Sequence, residues 1–147
     1  MNNNEIYTLG YENSDFNTFA STLKDENIKI LIDIRYYPKS RKKGFSKNEM
    51  IKYFSNNGIK YIHLKKLGSP PEIRKKLRKD KNYNSFFKKY KKYLEKQNEE
   101  LNFLVNILKN DKTCIFCYEE DFRFCHRKTV ASYLNLVNDE EINIIHL

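Results

Sequence analysis

Lys112–Arg127, KTCIFCYEEDFRFCHR, is the stretch on which the fold turns. It opens with four apolar residues, Cys114, Ile115, Phe116 and Cys117, a run too short for a helix and made of strand formers. Acids follow at Glu119, Glu120 and Asp121, and Cys125-His126-Arg127 then heads a helical pattern of Val130, Ala131, Tyr133, Leu134 and Val137. A buried strand that runs into a polar loop and then a helix is where open α/β sheets keep their sites. Chemistry-bearing side chains are correspondingly dense between Cys117 and Arg127.

The remaining chain repeats the alternation. Glu5–Gly10 and Ile28–Ile34 read as strands, the second a nearly continuous apolar run suited to a sheet covered on both faces. Ser14 or Asp15 can cap a helix bearing Phe16, Phe19, Ala20 and Leu23. Ser46 and Glu49 have capping-box spacing ahead of a helix that stops at Gly58. Ile59–Leu64 is a third strand, and Gly68, Pro70 and Pro71 open a new helical region. From Asn84 onward, Phe87, Tyr90, Leu94, Leu101, Leu104, Val105 and Leu108 recur at helical spacing, with a break near Gln97-Asn98. Glu141–Leu147 closes the chain as a strand. The pattern predicts one α/β domain over residues 1–147, with a mostly parallel sheet of about five strands and helices on both faces.

The chain has 147 residues, enough for a core of its own. No apolar run approaches the roughly 20 residues of a membrane span. The opening MNNNEIY has no signal-peptide pattern, so a cytoplasmic protein without a membrane partner is expected. Three cysteines argue against a disulfide framework. The net charge of +9 is concentrated: Lys65–Lys96 alone carries a net +10, and the rest sums to −1. Such a segment can attract nucleic acid or another anionic ligand, although charge runs on helices also serve as solvated faces.

Several chemistries compete for Cys117–Arg127. Zinc would need Cys114-x-x-Cys117 together with Cys125 and His126, but residues three apart on a strand face opposite ways, so no metal is expected there. Cys117 and Arg123 have the C-x5-R spacing of a phosphatase loop, yet the acids between them would repel phosphate and raise the thiol pKa. Persulfide transfer is a third reading, because LIDIR at a strand end with a later cysteine is similar to rhodanese-like domains. In the fourth, without a cysteine nucleophile, Asp33, Glu119, His126 and the guanidiniums of Arg35 and Arg127 form an acid–base and anion-holding set, and Cys117 and Cys125 are small packing residues. Across the readings the catalytic candidates are Asp33, Cys117, Glu119 and His126, and the substrate-binding candidates are Arg35, Ser40, Arg41, Arg127 and Tyr11. No cofactor is required. The competing structural reading makes the same cluster an ion network that locks loops onto the sheet. Both place Asp33 and Glu119 near Arg35, His126 or Arg127, with at least one carboxylate–guanidinium pair. In both, His126 is the group expected to titrate near neutrality.

Four ordered signatures then point to a family. Thr8-Leu9-Gly10-Tyr11 ends the first strand, and Leu31, Ile32, Asp33, Ile34, Arg35, Pro38, Ser40 and Arg41 form an extended D-x-R motif. Gly58, Ile59 and Tyr61 precede Leu67-Gly68, and Cys117 and Glu119 precede Cys125-His126-Arg127. In these the chain resembles the uncharacterised family called domain of unknown function 488 over nearly its whole length. Many members have His where Tyr11 stands and Gly where Ser69 stands. The resemblance implies an α/β fold and a site shared between the D-x-R and C-x-E/C-H-R segments, without implying an activity. The preferred expectation is an enzyme acting on an anionic substrate such as a nucleotide or nucleic acid; the alternative is a non-catalytic nucleic-acid- or partner-binding domain whose polar cluster is structural.

Overall fold

Strands β1 (Glu5–Gly10), β2 (Ile30–Asp33), β3 (Lys60–His63), β4 (Thr113–Cys117) and β5 (Asn143–His146) form one sheet in the order β3-β2-β4-β1-β5. Every pairing is parallel. The computed structural model describes residues 4–119, 126–138 and 140–147. Arg123 and Cys125, named in the phosphatase and zinc readings, lie outside the described residues, as do Glu120 and Asp121. The order follows burial. β2 and β4, the most continuous apolar runs, are buried at every position and lie inside, while β3 and β5 are half-exposed and form the edges.

Six helices complete the described chain: α1 (Phe16–Asp25), α2 (Lys47–Ser55), α3 (Pro71–Asp80), α4 (Tyr83–Leu94), α5 (Asn98–Asn110) and α6 (His126–Val137). Strand alternation divides the core in two. Leu31, Cys114 and Phe116 face α1 and α2, through Phe19, Leu23, Met50 and Phe54. Ile32, Ile115 and Cys117 face α4, α5 and α6, through Tyr90, Leu104, Leu108, Val130 and Leu134. Cys114 and Cys117 therefore point to opposite faces, as a strand requires.

Local chemistry sets most boundaries. Asp15 is the N-cap of α1 and accepts from Thr18 N at 2.7 Å. Ser46 occupies the N-cap position of α2, but the expected capping box does not form. Its hydroxyl is taken by Ser40, donating to Ser40 O and accepting from Ser40 N, both at 3.2 Å. Glu49 instead accepts from Gly44 N at 3.1 Å. The Pro38–Phe45 loop folds back over the helix start and offers both side chains nearer partners. The long periodic stretch is two helices interrupted over residues 95–97, and Phe86 rather than Phe87 enters the core beside Tyr90 and Leu94. α3 buries no residue and packs chiefly on α4.

The connections determine where a site can lie. The helices after β1 and β2 cover one face, whereas α6, after β4, covers the other. β4 lies between β2 and β1. Diverging connections open a crevice at the carboxyl end of β4, the position where open α/β sheets bind ligands.

Candidate functional site

Asp33 ends β2 completely buried, and four donors occupy its carboxylate. Oδ1 accepts from Arg35 N and Arg35 Nε, each at 2.9 Å. Oδ2 accepts from Arg35 Nη2 at 2.7 Å and from the Tyr61 hydroxyl. The Arg35 fork is used just as fully. Beyond Asp33, Nη1 donates to Phe45 O at 2.6 Å and to Tyr11 Oη at 3.2 Å, and Nη2 reaches Met50 Sδ at 3.6 Å. Phe116 supplies a ring face 5.0 Å from the guanidinium carbon. Burial opposes the guanidinium charge, but the Asp33 hydrogen bonds and charge outweigh it and raise the Arg35 pKa. Burial also raises Tyr61, with the Asp33 charge adding to it, so the phenol stays protonated and donating. The expected carboxylate–guanidinium pair is thus present, between Asp33 and Arg35. With these bonds the pair fastens the strand end to the Tyr11 and Phe45 segments.

Two histidines fix the next two carbonyls. His126 Nε2 donates to Ile34 O at 2.9 Å, and His63 Nε2 donates to Arg35 O at 2.7 Å. His126 is buried, edge-on to the Tyr90 ring at 5.5 Å. Burial, with Arg74 adding to it, pushes its pKa down to about 3. The expectation of a His126 that titrates near neutrality is therefore corrected: a desolvated ring between guanidiniums stays neutral. Gly68 passes so close to this backbone that a Cβ would stand 2.4 Å from Tyr36 N and 2.8 Å from Ile34 O. That approach explains the Leu67-Gly68 signature.

Arg127 is buried, 1% exposed. Its Nη1 donates to the Glu119 carbonyl and lies 3.4 Å from Cys117 Sγ. The Glu119 carboxylate turns instead to Arg74 of α3, at 3.6 Å, with Cys117 Sγ 3.6 Å away on its other side. The expectation against disulfides is corrected at one cysteine: Cys117 is disulfide-bonded, and Cys114 is the free, buried cysteine. Burial raises the Cys114 thiol pKa, so it is an inert core residue. The C-x-E/C-H-R and D-x-R segments do meet, through the His126–Ile34 bond, but the meeting is packed and interior.

A cleft of about 270 Å³ opens beside this packed cluster, at the carboxyl ends of β1, β2 and β4. Lys39, Arg74 and Arg78 line it with Tyr11, Tyr36, Tyr37 and Tyr118, and Ser40 and Ser69 add hydroxyls. Among the described residues, none that lines it is acidic. Tyr37 and Tyr118 are exposed, and Tyr11 is buried, stacked on Phe45 at 4.4 Å. Arg74 Nε donates to Ser69 Oγ at 2.6 Å. Of the residues singled out from the sequence, Tyr11, Arg35 and Ser40 reach the cleft, while Asp33, Cys117, Glu119, His126 and Arg127 lie outside its lining. Arg41 is exposed and also outside it. Arg74, Arg78, Lys39, Tyr36, Tyr37 and Tyr118 were not singled out. The available signal was Arg74 and Arg78, four residues apart on a helix opened by Pro70-Pro71, which puts both on one face. A larger groove, about 510 Å³, lies over α4 and α6 between Phe87, Lys91, Lys128 and Leu136, away from the signature residues.

The molecule is therefore an α/β protein with a parallel sheet, a locked polar cluster and a basic, tyrosine-lined cleft at one edge. The family model described as Domain of unknown function DUF488 matches residues 15–134, and the chain belongs to that family. The T-L-G-Y strand end at residues 8–11 precedes the matched segment. No curated protein matches the chain, and no solved structure does. No helix among the described residues is long and apolar enough to cross a membrane.

Proposed function

We propose that the protein binds single-stranded nucleic acid across the carboxyl edge of its sheet, with one nucleotide unit seated in the cleft. The supporting observation is that Arg74 and Arg78 carry the basic Lys65–Lys96 segment into a cleft that Tyr11, Tyr36, Tyr37 and Tyr118 also line. Guanidiniums and Lys39 suit phosphates, and the exposed Tyr37 and Tyr118 offer faces on which bases stack. The distribution of charge favours a polymer. The basic residues run beyond the cleft along α3 and α4. One unit of a longer chain fits that space, and the exposed lysines of α3 and α4 meet its flanking phosphates. Non-catalytic binding takes precedence because Asp33, one of the catalytic candidates in the sequence, and its partner Arg35 have their polar atoms fully engaged.

One observation favours a second reading, an enzyme acting on the same ligand. The Glu119 carboxylate is 28% exposed and touches Arg74 at the cleft margin, where it can reach a bound substrate as a general base. Fluorescence anisotropy with single-stranded and duplex oligonucleotides over a salt series tests the binding reading. Affinity should favour the single strand and fall log-linearly with salt, with a slope of about −0.7 per phosphate neutralised. Charge reversal of the exposed Lys88, Lys89, Lys91 and Lys92 should flatten that slope. No salt-dependent binding of either probe would refute the reading, and strand cleavage lost in Glu119→Gln would move it to the enzyme.

A further inference from the structure

The carboxyl end of β4 holds a second arrangement, which does not depend on nucleic-acid binding. Cys117 Sγ, a Glu119 carboxylate oxygen and a His126 ring nitrogen all lie within 4.8 Å of one another. We propose that the reduced chain binds one zinc ion through these three residues, and that the disulfide at Cys117 switches the site off. The ligand set is sulfur, nitrogen and oxygen, which suits a borderline cation such as Zn²⁺ and is poor for Mg²⁺ or Ca²⁺.

Two further features fit the assignment. Metal-ligating histidines usually donate their other ring N–H to a carbonyl or carboxylate, which fixes the tautomer. His126 Nε2 makes such a bond to Ile34 O at 2.9 Å, so Nδ1 carries the lone pair. Cys117 and His126 are buried on rigid elements, a strand end and the first turn of α6, so their spacing is set by the fold. The set shares Cys117 and His126 with the four-residue zinc reading of the sequence but excludes Cys114, which lies in the core on the opposite face of β4.

The gating step balances. A dithiol reductant gives up two electrons and two protons and becomes a disulfide; the Cys117 S–S bond breaks and each sulfur leaves as a thiol. Zinc binding then forms the Sγ–metal bond and releases the Cys117 proton to solvent.

The test compares the full chain before and after dithiol reduction, with free thiols counted, excess zinc removed by gel filtration and bound metal measured by elemental analysis. One zinc per chain is expected only in the reduced sample. Cobalt substitution should give a thiolate-to-cobalt charge-transfer band that Cys117→Ser abolishes. Glu119→Gln changes a partly exposed side chain, so it keeps the fold and should weaken zinc affinity at least about 10-fold. A fully reduced chain without stoichiometric zinc would overturn the site. Zinc retained in both Cys117→Ser and Glu119→Gln would overturn the ligand assignment, and equal loading of the oxidised chain would overturn the switch.

Discussion

Arg35 and Arg74 line the same cleft and are used in opposite ways. Arg35 is 6% exposed, and each of its donors points at a protein acceptor. Arg74 is 37% exposed, tethered by Ser69 on one side and by a long ion pair to Glu119 on the other. The first sits on a strand end in the core, the second on a helix that buries nothing. The difference teaches that a dense polar motif can be structural while a plain charge run supplies the surface that meets a ligand. Saturation of hydrogen-bonding capacity separates the two roles better than residue type.

The largest effect is expected at Asp33. Asp33→Ala leaves a buried guanidinium without its carboxylate and should cost about 3–5 kcal/mol, read from the urea midpoint. Replacing both partners with apolar residues, Asp33→Leu with Arg35→Met, should cost less than Asp33→Ala alone. A loss below about 1 kcal/mol for Asp33→Ala, the level of a surface pair, would place the pair outside the structural class.

His126 gives the next largest effect, and it is pH-dependent. Its folded pKa, about 3, lies below the ordinary 6.5, so between those values the unfolded chain binds the extra proton. This contribution is fully present above pH 6.5, falls as the pH drops toward 3, and is gone below it. The slope for one such group is at most about 1.4 kcal/mol per pH unit. His126→Gln keeps a donor for Ile34 O and should flatten the slope; an unchanged slope would assign it to other groups.

Gly68 sharpens the structural side further. In Gly68→Ala the new methyl carbon meets the Tyr36 backbone nitrogen at 2.4 Å, and neither backbone segment can yield as a side-chain end would. A loss of about 1–3 kcal/mol in chemical denaturation is expected, typical of overpacking.

The sequence carried the fold well. Continuous apolar runs put β2 and β4 inside the sheet, and the strand reading of Cys114–Cys117 separated the two cysteines correctly. Family membership was legible because the signatures are backbone-fixing residues: Asp33, Arg35, Gly68 and His126 all bind or approach the loop after β2. The cleft was not legible, for a physical reason. Tyr36, Tyr37, Lys39, Arg78 and Tyr118 are common surface types, and only the convergence of loops from different strands makes them a wall. His126 was misread because a histidine beside acids and arginines in sequence does not disclose its burial, and burial controls its pKa. Ser46 and Glu49 had capping-box spacing, but a folded-back loop competed for both side chains.

The smallest stability effect belongs to the cleft, and there the central claim is tested most directly. Lys39→Glu with Arg78→Glu changes two exposed side chains, so the unfolding midpoint should move by no more than about 0.5 kcal/mol equivalent. Affinity for a single-stranded oligonucleotide at fixed salt should fall at least about 10-fold in the same variant, because two phosphate contacts become repulsive. Wild-type binding that persists undiminished in a folded double variant would contradict the assignment of function to this cleft.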